Sequence, residues 1–201
     1  MLAISKIGAV YAPFDLNQPS ARIEQMVVEA NVKFVVVQNN FSKKLDSNIN
    51  YLPFPDYNNF SKSLVYENVG IEPTDPLYIM FTSGSTGIPK GVIIPHQGVV
   101  RLVCNSNYID IVPTDVFFQI SSLAFDGCAF EIWGALLNGA GLVIPEHNIE
   151  FALMGNYLKA FKINILWVTS RLFDALIDTD VSIFKQIKVF VFCGEAASFQ
   201  H

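Results

Sequence analysis

From Leu77 onward, short apolar runs alternate with stretches of helical periodicity, and this alternation constrains the fold more than any other feature. The sequence predicts helices near 97–106, 129–138, 149–161 and 171–178, and strands near 77–81, 92–95, 115–120, 141–144, 163–168 and 188–192. Strands that are apolar throughout and separated by helices of this length are typical of a sheet buried on both faces. We therefore expect an α/β fold, with a layered sheet flanked by helices.

The first 76 residues are less regular. A short strand is predicted at 9–14 and a buried strand at 32–37, joined by a helix whose apolar stripe is Ile23, Met26, Val27 and Ala30. Such a unit favours a parallel strand pair with a right-handed crossover. Residues 38–76 are rich in Asn and contain four prolines, so we expect a surface connection with, at most, a short strand near 64–66.

Composition excludes several classes of protein. Hydrophobic residues make up 51% of the 201 residues and charged residues only 15%, which requires a large core and excludes disorder as the main state. No Ser/Gly-rich linker divides the chain, so one domain is expected. The formal net charge is −5 and no basic cluster exceeds Lys43 and Lys44, so nucleic acid is an unexpected partner.

No membrane or export segment is predicted. The most apolar stretch, 129–145, is interrupted by Glu131 and Asn138, and the N-terminus lacks the pattern of a signal peptide. The chain has three cysteines, none in a CxxC spacing, and we expect reduced thiols and a cytoplasmic protein; they are Cys104, Cys128 and Cys193.

The segment TSGSTGIPKG, residues 82–91, lies between the strand-like runs LYIMF and VIIP. Small hydroxyl residues and glycines present backbone N–H and side-chain O–H groups to an anion, and Lys90 adds a positive charge. The order of residues differs from the Walker A pattern, since Pro89 precedes Lys90 and Gly91 follows it. From composition alone, a phosphate-binding loop and an ordinary flexible hairpin connection are equally good interpretations.

TSGSTGIPKGV followed by His96 resembles the signature phosphate loop of the adenylate-forming, or AMP-binding, superfamily. The segments IGAVYAPFDLNQPSARIEQMVVEANVKFVV and LAFDGCAFEIWGALLNGAGLVI are similar to adenylation domains of nonribosomal peptide synthetases, and INILWVTSRLF and VFVFCGEAAS continue the match in order. The resemblance implies that 1–201 is part of the large N-terminal subdomain of such a domain.

The resemblance also implies a reaction and its cofactors. An amino-acid carboxylate would attack the α-phosphate of ATP, with Mg²⁺ present, and the aminoacyl group would pass to the phosphopantetheine thiol of a carrier protein. Thr86 and Lys90 match catalytic positions, and Thr86 matches a contact to the metal-bound phosphate. The phosphate-binding residues implied are Thr82, Ser83, Gly84, Ser85, Thr86, Gly87 and Lys90.

Asp126 matches the carboxylate that pairs with the substrate ammonium in amino-acid-activating members of the family. An Asp before a helix is also typical of an N-cap, and the residue alone favours the cap. The matched pocket positions are Asp126, Gly127, Phe130, Trp167, Val191 and Cys193. Apolar walls of this kind suit a branched aliphatic amino acid, although Phe130 and Trp167 are equally plausible as core aromatics.

Gly194, Glu195 and Ala196 match the segment that lies beside the adenylate in the family, and His96 is expected to start a helix against the loop. The match also implies that 1–201 is an incomplete domain, truncated at both ends and without the C-terminal lysine-bearing subdomain, so little activity is expected of it alone. The alternatives are a non-catalytic ATP- or AMP-binding module, a decayed remnant, and a member that resembles acyl- or aryl-acid-CoA ligases.

Overall fold

A computed structural model describes residues 1–37, 49–54, 69–82, 89–145, 150, 153–179 and 181–193, without the side chains of Ile183 and Cys193. The chain divides into two compact units, Met1–His96 and Gln97–His201, which we call the N-terminal and C-terminal units. One domain was expected; the boundary between the units lies at the first residues of a helix, and no linker separates them.

The N-terminal unit contains two helices and four strands in its described part. They are α1 (Leu2–Lys6), α2 (Ser20–Glu29), β1 (Phe34–Val37), β2 (Asn50–Pro53), β3 (Pro76–Thr82) and β4 (Lys90–Pro95). The stripe predicted for α2 is confirmed, because Ile23, Met26 and Val27 are buried there. Ala30 lies at the C-cap of α2 and is half-buried.

The strand predicted at 9–14 is wrong, since this segment makes only one bridge, from Tyr11 to Tyr78. Tyr11 N–H donates to the Leu77 carbonyl at 3.3 Å, and Ile79 N–H donates to the Tyr11 carbonyl at 2.9 Å. The next donor of a parallel ladder would be residue 13, which is a proline and has no N–H. The bridge therefore cannot continue into a strand.

The partner predicted for β1 is also wrong, because β1 pairs in parallel with β2 and not with residues 9–14. No strand was predicted at β2, whose four residues are all exposed. β1 was expected to be buried, yet Phe34 and Val36 are exposed. The short strand considered near 64–66 lies outside the described residues.

The strands predicted near 77–81 and 92–95 are confirmed as β3 and β4, and they form an antiparallel pair. Thr82 and Lys90 are register partners at the end of this pair where the strands are connected, and the segment that connects them is the glycine-rich loop. Gly91 packs closely in β4, because a Cβ there would lie 3.0 Å from the Ile79 side chain.

The C-terminal unit is built on a four-stranded sheet in which every pair is parallel, with the order β6-β5-β7-β8. The predicted strands and helices of this region are confirmed within a few residues. The strands are β5 (Val116–Phe118), β6 (Gly141–Val143), β7 (Ile165–Thr169) and β8 (Val189–Cys193). The helices are α3 (His96–Val103), α4 (Gly127–Leu137), α5 (Met154–Ala160), α6 (Ser170–Thr179) and a short 3-10 helix (Val181–Gln186).

Both faces of this sheet are covered, as expected. On one face α4 packs against Phe117, whose ring centroid lies 5.5 Å from that of Phe130. On the other face, Phe118 and alternate residues of β7 pack against α5 and α6 in one buried cluster: Phe118, Met154, Leu158, Ile163, Leu166, Val168 and Leu176. Consecutive residues of a strand point to opposite faces, so β5 contributes to both layers.

The amino ends of the parallel strands are joined by a polar network around Asp115, which is 2% exposed. Its carboxylate accepts from Lys188 Nζ at 2.8 Å, from Asn164 Nδ2 at 2.9 Å and from Val112 N–H at 2.9 Å. Burial raises the pKa of Asp115, but the hydrogen bonds from Lys188, Val112 and Asn164 and the charge of Lys188 outweigh it, so the pKa lies below its ordinary value. The network connects the starts of β5, β7 and β8.

Two further expectations concern helices and thiols. In the described part of the chain, no helix is long and apolar enough to cross a membrane. Cys104 and Cys128 are free thiols, and Cys128 is buried, as expected for reduced core cysteines. Burial raises the pKa of Cys128 to about 12, with the charges of Glu131 and Asp126 contributing, so this thiol stays protonated.

Candidate functional site

The C-terminal sheet has a topological switch point between β5 and β7. After β5 the chain turns through α4 to β6 on one side, whereas after β7 it turns through α6 to β8 on the other. β5 and β7 are neighbours, so the connections leave their carboxyl ends in opposite directions. Ligands of open α/β sheets bind at such a switch point, outside the carboxyl ends of the strands.

The structure brings the predicted pocket residues to this switch point. Gly127 is the first residue of α4, and a Cβ there would overlap Nε1 of Trp167 on β7. The rings of Phe130 and Trp167 are 5.5 Å apart, and Val191 on β8 is the register partner of Trp167. We call Asp126, Gly127, Phe130, Trp167 and Val191 the pocket cluster.

Only glycine fits at position 127, because any side chain there would meet the indole ring of Trp167. Nε1 of Trp167 is buried and has no hydrogen-bond partner among the residues that the structure describes. Phe130 is almost fully buried and also contacts Phe117, so it is a core aromatic as well as a neighbour of Trp167. The two interpretations of Phe130 are therefore compatible.

Asp126 occupies the N-cap position of α4, but its side chain makes no capping hydrogen bond. Its φ of −63° and ψ of −29° are already helical, whereas a capping side chain needs an extended backbone to reach back to the first N–H groups. Asp126 is also exposed. The interpretation of Asp126 as a conventional cap is thus wrong, and the carboxylate is available to a ligand.

The sequence analysis did not identify Glu131, which is 1% exposed and lies on α4, four positions after Gly127. Its carboxylate accepts from Ser121 N–H at 3.2 and 3.1 Å and from Ser121 Oγ at 2.7 Å. Burial raises the pKa of Glu131 to about 7, against hydrogen bonds from Ser121, Ile120 and Gln119 that lower it. The available signal was a single acidic residue in an otherwise apolar helix.

The phosphate loop is only partly described. Thr82 and Lys90 are both exposed at its two ends, where a hydroxyl and an ammonium group can face an anion. Ser83, Gly84, Ser85, Thr86 and Gly87 lie outside the described residues. The same holds for Gly194, Glu195 and Ala196, and for the side chain of Cys193, whose backbone pairs with Thr169.

His96 is the first residue of α3, as expected, and its N–H donates to the Asp75 carbonyl at 3.0 Å. Within the described ranges, no group of three His, Cys, Asp or Glu side chains is placed to hold a metal ion. Acidic metal ligands of that kind are therefore not part of the described pocket cluster.

Comparison with known proteins identifies the family. The family model for the AMP-binding enzyme matches residues 1–200. Bacitracin synthase 1 of Bacillus licheniformis is 35% identical over 204 residues, which cover 100% of this chain and 4% of that protein. The chain thus spans a small fraction of the curated relative that it matches.

Solved structures show the same fold. The N-terminal subdomain of NpsA from Klebsiella oxytoca, in complex with 3-hydroxybenzoyl-AMSN, has a TM-score of 0.84 and 27% identity, over 98% of this chain and 50% of that one. A nonribosomal peptide synthetase (NRPS) protein containing adenylation and PCP domains has a TM-score of 0.83 and 25% identity, over 98% and 34%. From the family match and these likenesses, we conclude that the chain belongs to the AMP-binding enzyme family and corresponds to part of an adenylation domain of the nonribosomal peptide synthetase type.

Proposed function

We propose that this chain contributes the phosphate loop and the amino-acid pocket of an ATP-dependent adenylating ligase. In the reaction, an oxygen of the amino-acid carboxylate bonds to the α-phosphorus of ATP, the bond from that phosphorus to the β-phosphate oxygen breaks, and pyrophosphate leaves. The observation that carries the proposal is Asp126, an exposed carboxylate without a capping role beside an apolar cluster at the switch point.

The pocket cluster supports an amino acid as the substrate. The Asp126 carboxylate pairs with the α-ammonium group, an attraction that strengthens where water is partly excluded. Gly127, Phe130, Trp167 and Val191 supply apolar walls, with Cys193 as the further pocket position implied by the family match. Walls of this kind favour a branched aliphatic side chain such as that of Val, Ile or Leu.

The loop residues act on the phosphates. Thr82 and Lys90, at the ends of the loop, fit an anion by their chemistry: a hydroxyl donor and an ammonium charge. Ser83, Gly84, Ser85, Thr86 and Gly87 complete the donor set, with Lys90 and Thr86 as the groups closest to catalysis, and Gly194, Glu195 and Ala196 lie beside the adenylate. By the family match, Thr86 would help to hold Mg²⁺ at the phosphates, where the ion would neutralise part of their charge.

The carrier partner follows from the product. An aminoacyl-adenylate is a mixed anhydride, and a phosphopantetheine thiol on a carrier protein can attack its carbonyl and release AMP. The matched NRPS protein contains adenylation and PCP domains in one chain, which supports a carrier domain as the partner here. We place the protein in the cytoplasm, where ATP and reduced thiols coexist.

The role of Asp126 can be tested by binding. L-valine, L-isoleucine and L-leucine are each compared with the acid that lacks the α-ammonium group, 3-methylbutanoate in the case of L-valine. We expect at least one amino acid to bind more tightly than its desamino acid, and Asp126→Ala to remove the difference, as measured by saturation-transfer NMR. Equal affinities in the wild-type chain, or an unchanged difference in Asp126→Ala, would contradict the proposal.

Amino-acid-dependent ATP–pyrophosphate exchange tests the reaction itself. Exchange with a branched aliphatic amino acid that is lost in Lys90→Ala and in Asp126→Ala supports the ligase. Binding of ATP without exchange, in the whole protein that contains this chain, supports instead a module that holds the nucleotide without turnover.

A second candidate substrate is an aryl acid. NpsA, whose subdomain shares this fold, is seen in complex with 3-hydroxybenzoyl-AMSN. The Asp126 carboxylate favours an amino acid over an aryl acid, because a benzoate has no ammonium group to pair with it. Tighter binding of 3-hydroxybenzoate than of every amino acid tested, unaffected by Asp126→Ala, would favour the aryl-acid candidate.

A further inference from the structure

Asp126 lies midway between two residues that bond to each other. Ser121 is five positions before Asp126 and Glu131 five positions after it, and three contacts of 2.7–3.2 Å join Ser121 to the Glu131 carboxylate. We call residues 121–126 the Asp126 loop. The contacts close this loop onto the helix that follows it.

A second contact closes the loop from the same helix face. Sγ of Cys128 donates to the Leu123 carbonyl at 3.3 Å, and Cys128 and Glu131 are three positions apart on α4, so they share one face. Within the loop, Phe125 N–H donates to the Ser122 carbonyl at 2.9 Å. The loop is exposed at Leu123, Phe125 and Asp126. The two side chains of α4 that bond to the loop, Cys128 and Glu131, are buried.

The side chain of Asp126 makes no capping hydrogen bond, so the backbone sets its position: the loop before it, and its own carbonyl, which accepts from Ala129 N–H at 3.0 Å. A carboxylate that pairs with an ammonium group loses much of its effect when it is displaced by about 1 Å. Whatever fixes the loop therefore affects how well Asp126 meets its ligand.

We propose that Glu131 is a positioning residue, which holds the Asp126 loop through Ser121 so that the Asp126 carboxylate meets the ammonium group of the bound amino acid. This inference rests on the proposed function, because it assigns to Glu131 a part in the recognition that Asp126 performs. Glu131 itself is buried and does not contact the ligand.

The surroundings of Glu131 agree with this role. Its described donors are neutral, namely Ser121, the Ile120 backbone and Gln119, so no cation neutralises the buried carboxylate. The ionisable groups on its own helix face are Cys128, which stays protonated, and Asp126 at the exposed end of α4. The hydrogen bonds from Ser121 stabilise this buried carboxyl group, and the same bonds hold the Asp126 loop against α4.

Three variants and one control test the proposal. Glu131→Gln replaces one of two acceptor oxygens by a donor, Ser121→Ala removes the hydroxyl donor, and Ser121→Thr retains it. Asp115→Asn is the matched control, since it alters a buried carboxylate of the same sheet at the opposite strand ends. The quantity measured is the ratio of the dissociation constants of 3-methylbutanoate and L-valine, or of the corresponding pair for L-isoleucine or L-leucine.

We expect Glu131→Gln and Ser121→Ala each to lower this ratio by about tenfold, the equivalent of one weakened charged hydrogen bond, with the affinity for the desamino acid unchanged. The double variant should lose no more than either single variant, because both remove one interaction. Ser121→Thr and Asp115→Asn should keep the wild-type ratio. Hydrogen exchange at the amides of 122–126 should quicken in Glu131→Gln and stay unchanged in Asp115→Asn.

The outcomes separate this inference from the proposed function. If the wild-type chain discriminates and both Glu131→Gln and Ser121→Ala keep the wild-type ratio, the inference is wrong while the proposed function stands. If the ratio of dissociation constants falls as much in Asp115→Asn as in Glu131→Gln, the effect is one of general destabilisation, and the inference is wrong as well. If the wild-type chain does not discriminate at all, the proposed function fails, and the inference fails with it.

Discussion

The two ends of the C-terminal sheet each hold one buried carboxyl group, and the two groups differ in what surrounds them. Asp115, at the amino ends of the strands, has Lys188 at 2.8 Å, and its pKa is lowered. Glu131, near the carboxyl ends, has neutral donors, and burial raises its pKa to about 7. Both residues are almost fully covered, 2% and 1% exposed, and among the described residues they differ in whether a cation lies beside the carboxylate.

The comparison indicates that the amino ends of the strands, where Asp115 lies, serve stability alone. The Asp115 network joins the starts of three strands and contains its own cation. At the other end, Asp126 is exposed and not used in capping, and Glu131 has no cation beside it among the described residues. The ion pair of this sheet thus lies at the amino ends of the strands, and the exposed Asp126 carboxylate lies at the carboxyl ends, where ligands of such sheets bind.

The largest effect is expected at Asp115. Asp115→Ala removes the acceptor shared by Lys188, Asn164 and Val112 N–H, which should lower the free energy of unfolding by about 3 kcal/mol, although Lys188 Nζ keeps its bond to the Asp110 carbonyl at 2.8 Å. Urea unfolding followed by tryptophan fluorescence reports it, because both tryptophans, Trp133 and Trp167, lie in this unit. The exposed neighbour Asp110, changed to Ala, should alter stability by less than about 0.5 kcal/mol. A loss as small in Asp115→Ala would show that the network contributes little.

The next effect is the pH dependence caused by Glu131. Its pKa is raised from 4.5 to about 7, so the folded state favours the protonated form, and its contribution to stability is full below pH 4.5 and falls as the pH rises to about 7. The rise is equivalent to about 3 kcal/mol, which is comparable to the effect expected at Asp115.

Glu131→Gln isolates this effect. The unfolding free energy of the wild type minus that of Glu131→Gln should decrease between pH 4.5 and 7 and level off above, as measured by urea unfolding across the range. Asp115 acts in another window and with the opposite sign: its contribution is present above pH 3.8 and is lost as the pH falls through its lowered pKa. A flat difference would show that the folded state does not shift the pKa of Glu131, and a difference that increases with pH would show a lowered pKa; either result contradicts the expectation.

A smaller effect is expected at Gly127, where the carboxyl end can be altered without changing a charge. Gly127→Ala places a methyl group against the Trp167 indole and should cost about 1–2 kcal/mol, with weaker binding of L-valine and of 3-methylbutanoate alike. Gly134→Ala is the matched control, because its Cβ would lie 2.8 Å from the ring of Phe117, which is not a member of the pocket cluster but contacts Phe130. Similar losses of affinity in both variants would remove the special role of Gly127.

The smallest effect on stability is expected at Asp126. Asp126→Asn should change the free energy of unfolding by less than about 0.5 kcal/mol, since the side chain is exposed and makes no capping bond. The same variant should lose about tenfold or more of the preference for the amino acid over its desamino acid. Calorimetric titration and urea unfolding of one preparation check both statements. Asn can still cap a helix, so Asp126→Ala makes the separate test of capping: a destabilisation of about 1 kcal/mol in that variant would mean that Asp126 caps α4 in solution.

How far the sequence predicts this protein differs between its halves. The strands and α-helices of the C-terminal unit are local, strongly periodic segments and were placed within a few residues, whereas the short 3-10 helix Val181–Gln186 was not predicted. β2 was missed because its residues, NYLP, are exposed and carry no apolar alternation. The strand predicted at 9–14 failed because the residue at the next donor position is Pro13, and only the pairing with Tyr78 shows that this position matters.

The pocket cluster shows the same division. Its residue types and order, with the motif around them, predicted Asp126, Gly127, Phe130, Trp167 and Val191, and the structure brings Gly127 and Trp167 into contact across 40 positions of sequence. The roles of Ser121 and Glu131 were not predicted, because a hydrogen bond between residues ten positions apart leaves no periodic signal. The loop residues 83–88 remain predictions of the sequence.

The sequence by itself determined the α/β class, the family and the candidate residues, because apolar periodicity and short motifs are local properties of the chain. Only the tertiary structure decided that Asp126 does not cap its helix, that position 127 must be glycine, and that Glu131 is buried without a cation while Asp115 has one. The physical reason is that burial, hydrogen-bond partners and charge neighbours are set by residues distant in sequence, which come together only when the strands pair and the helices cover them.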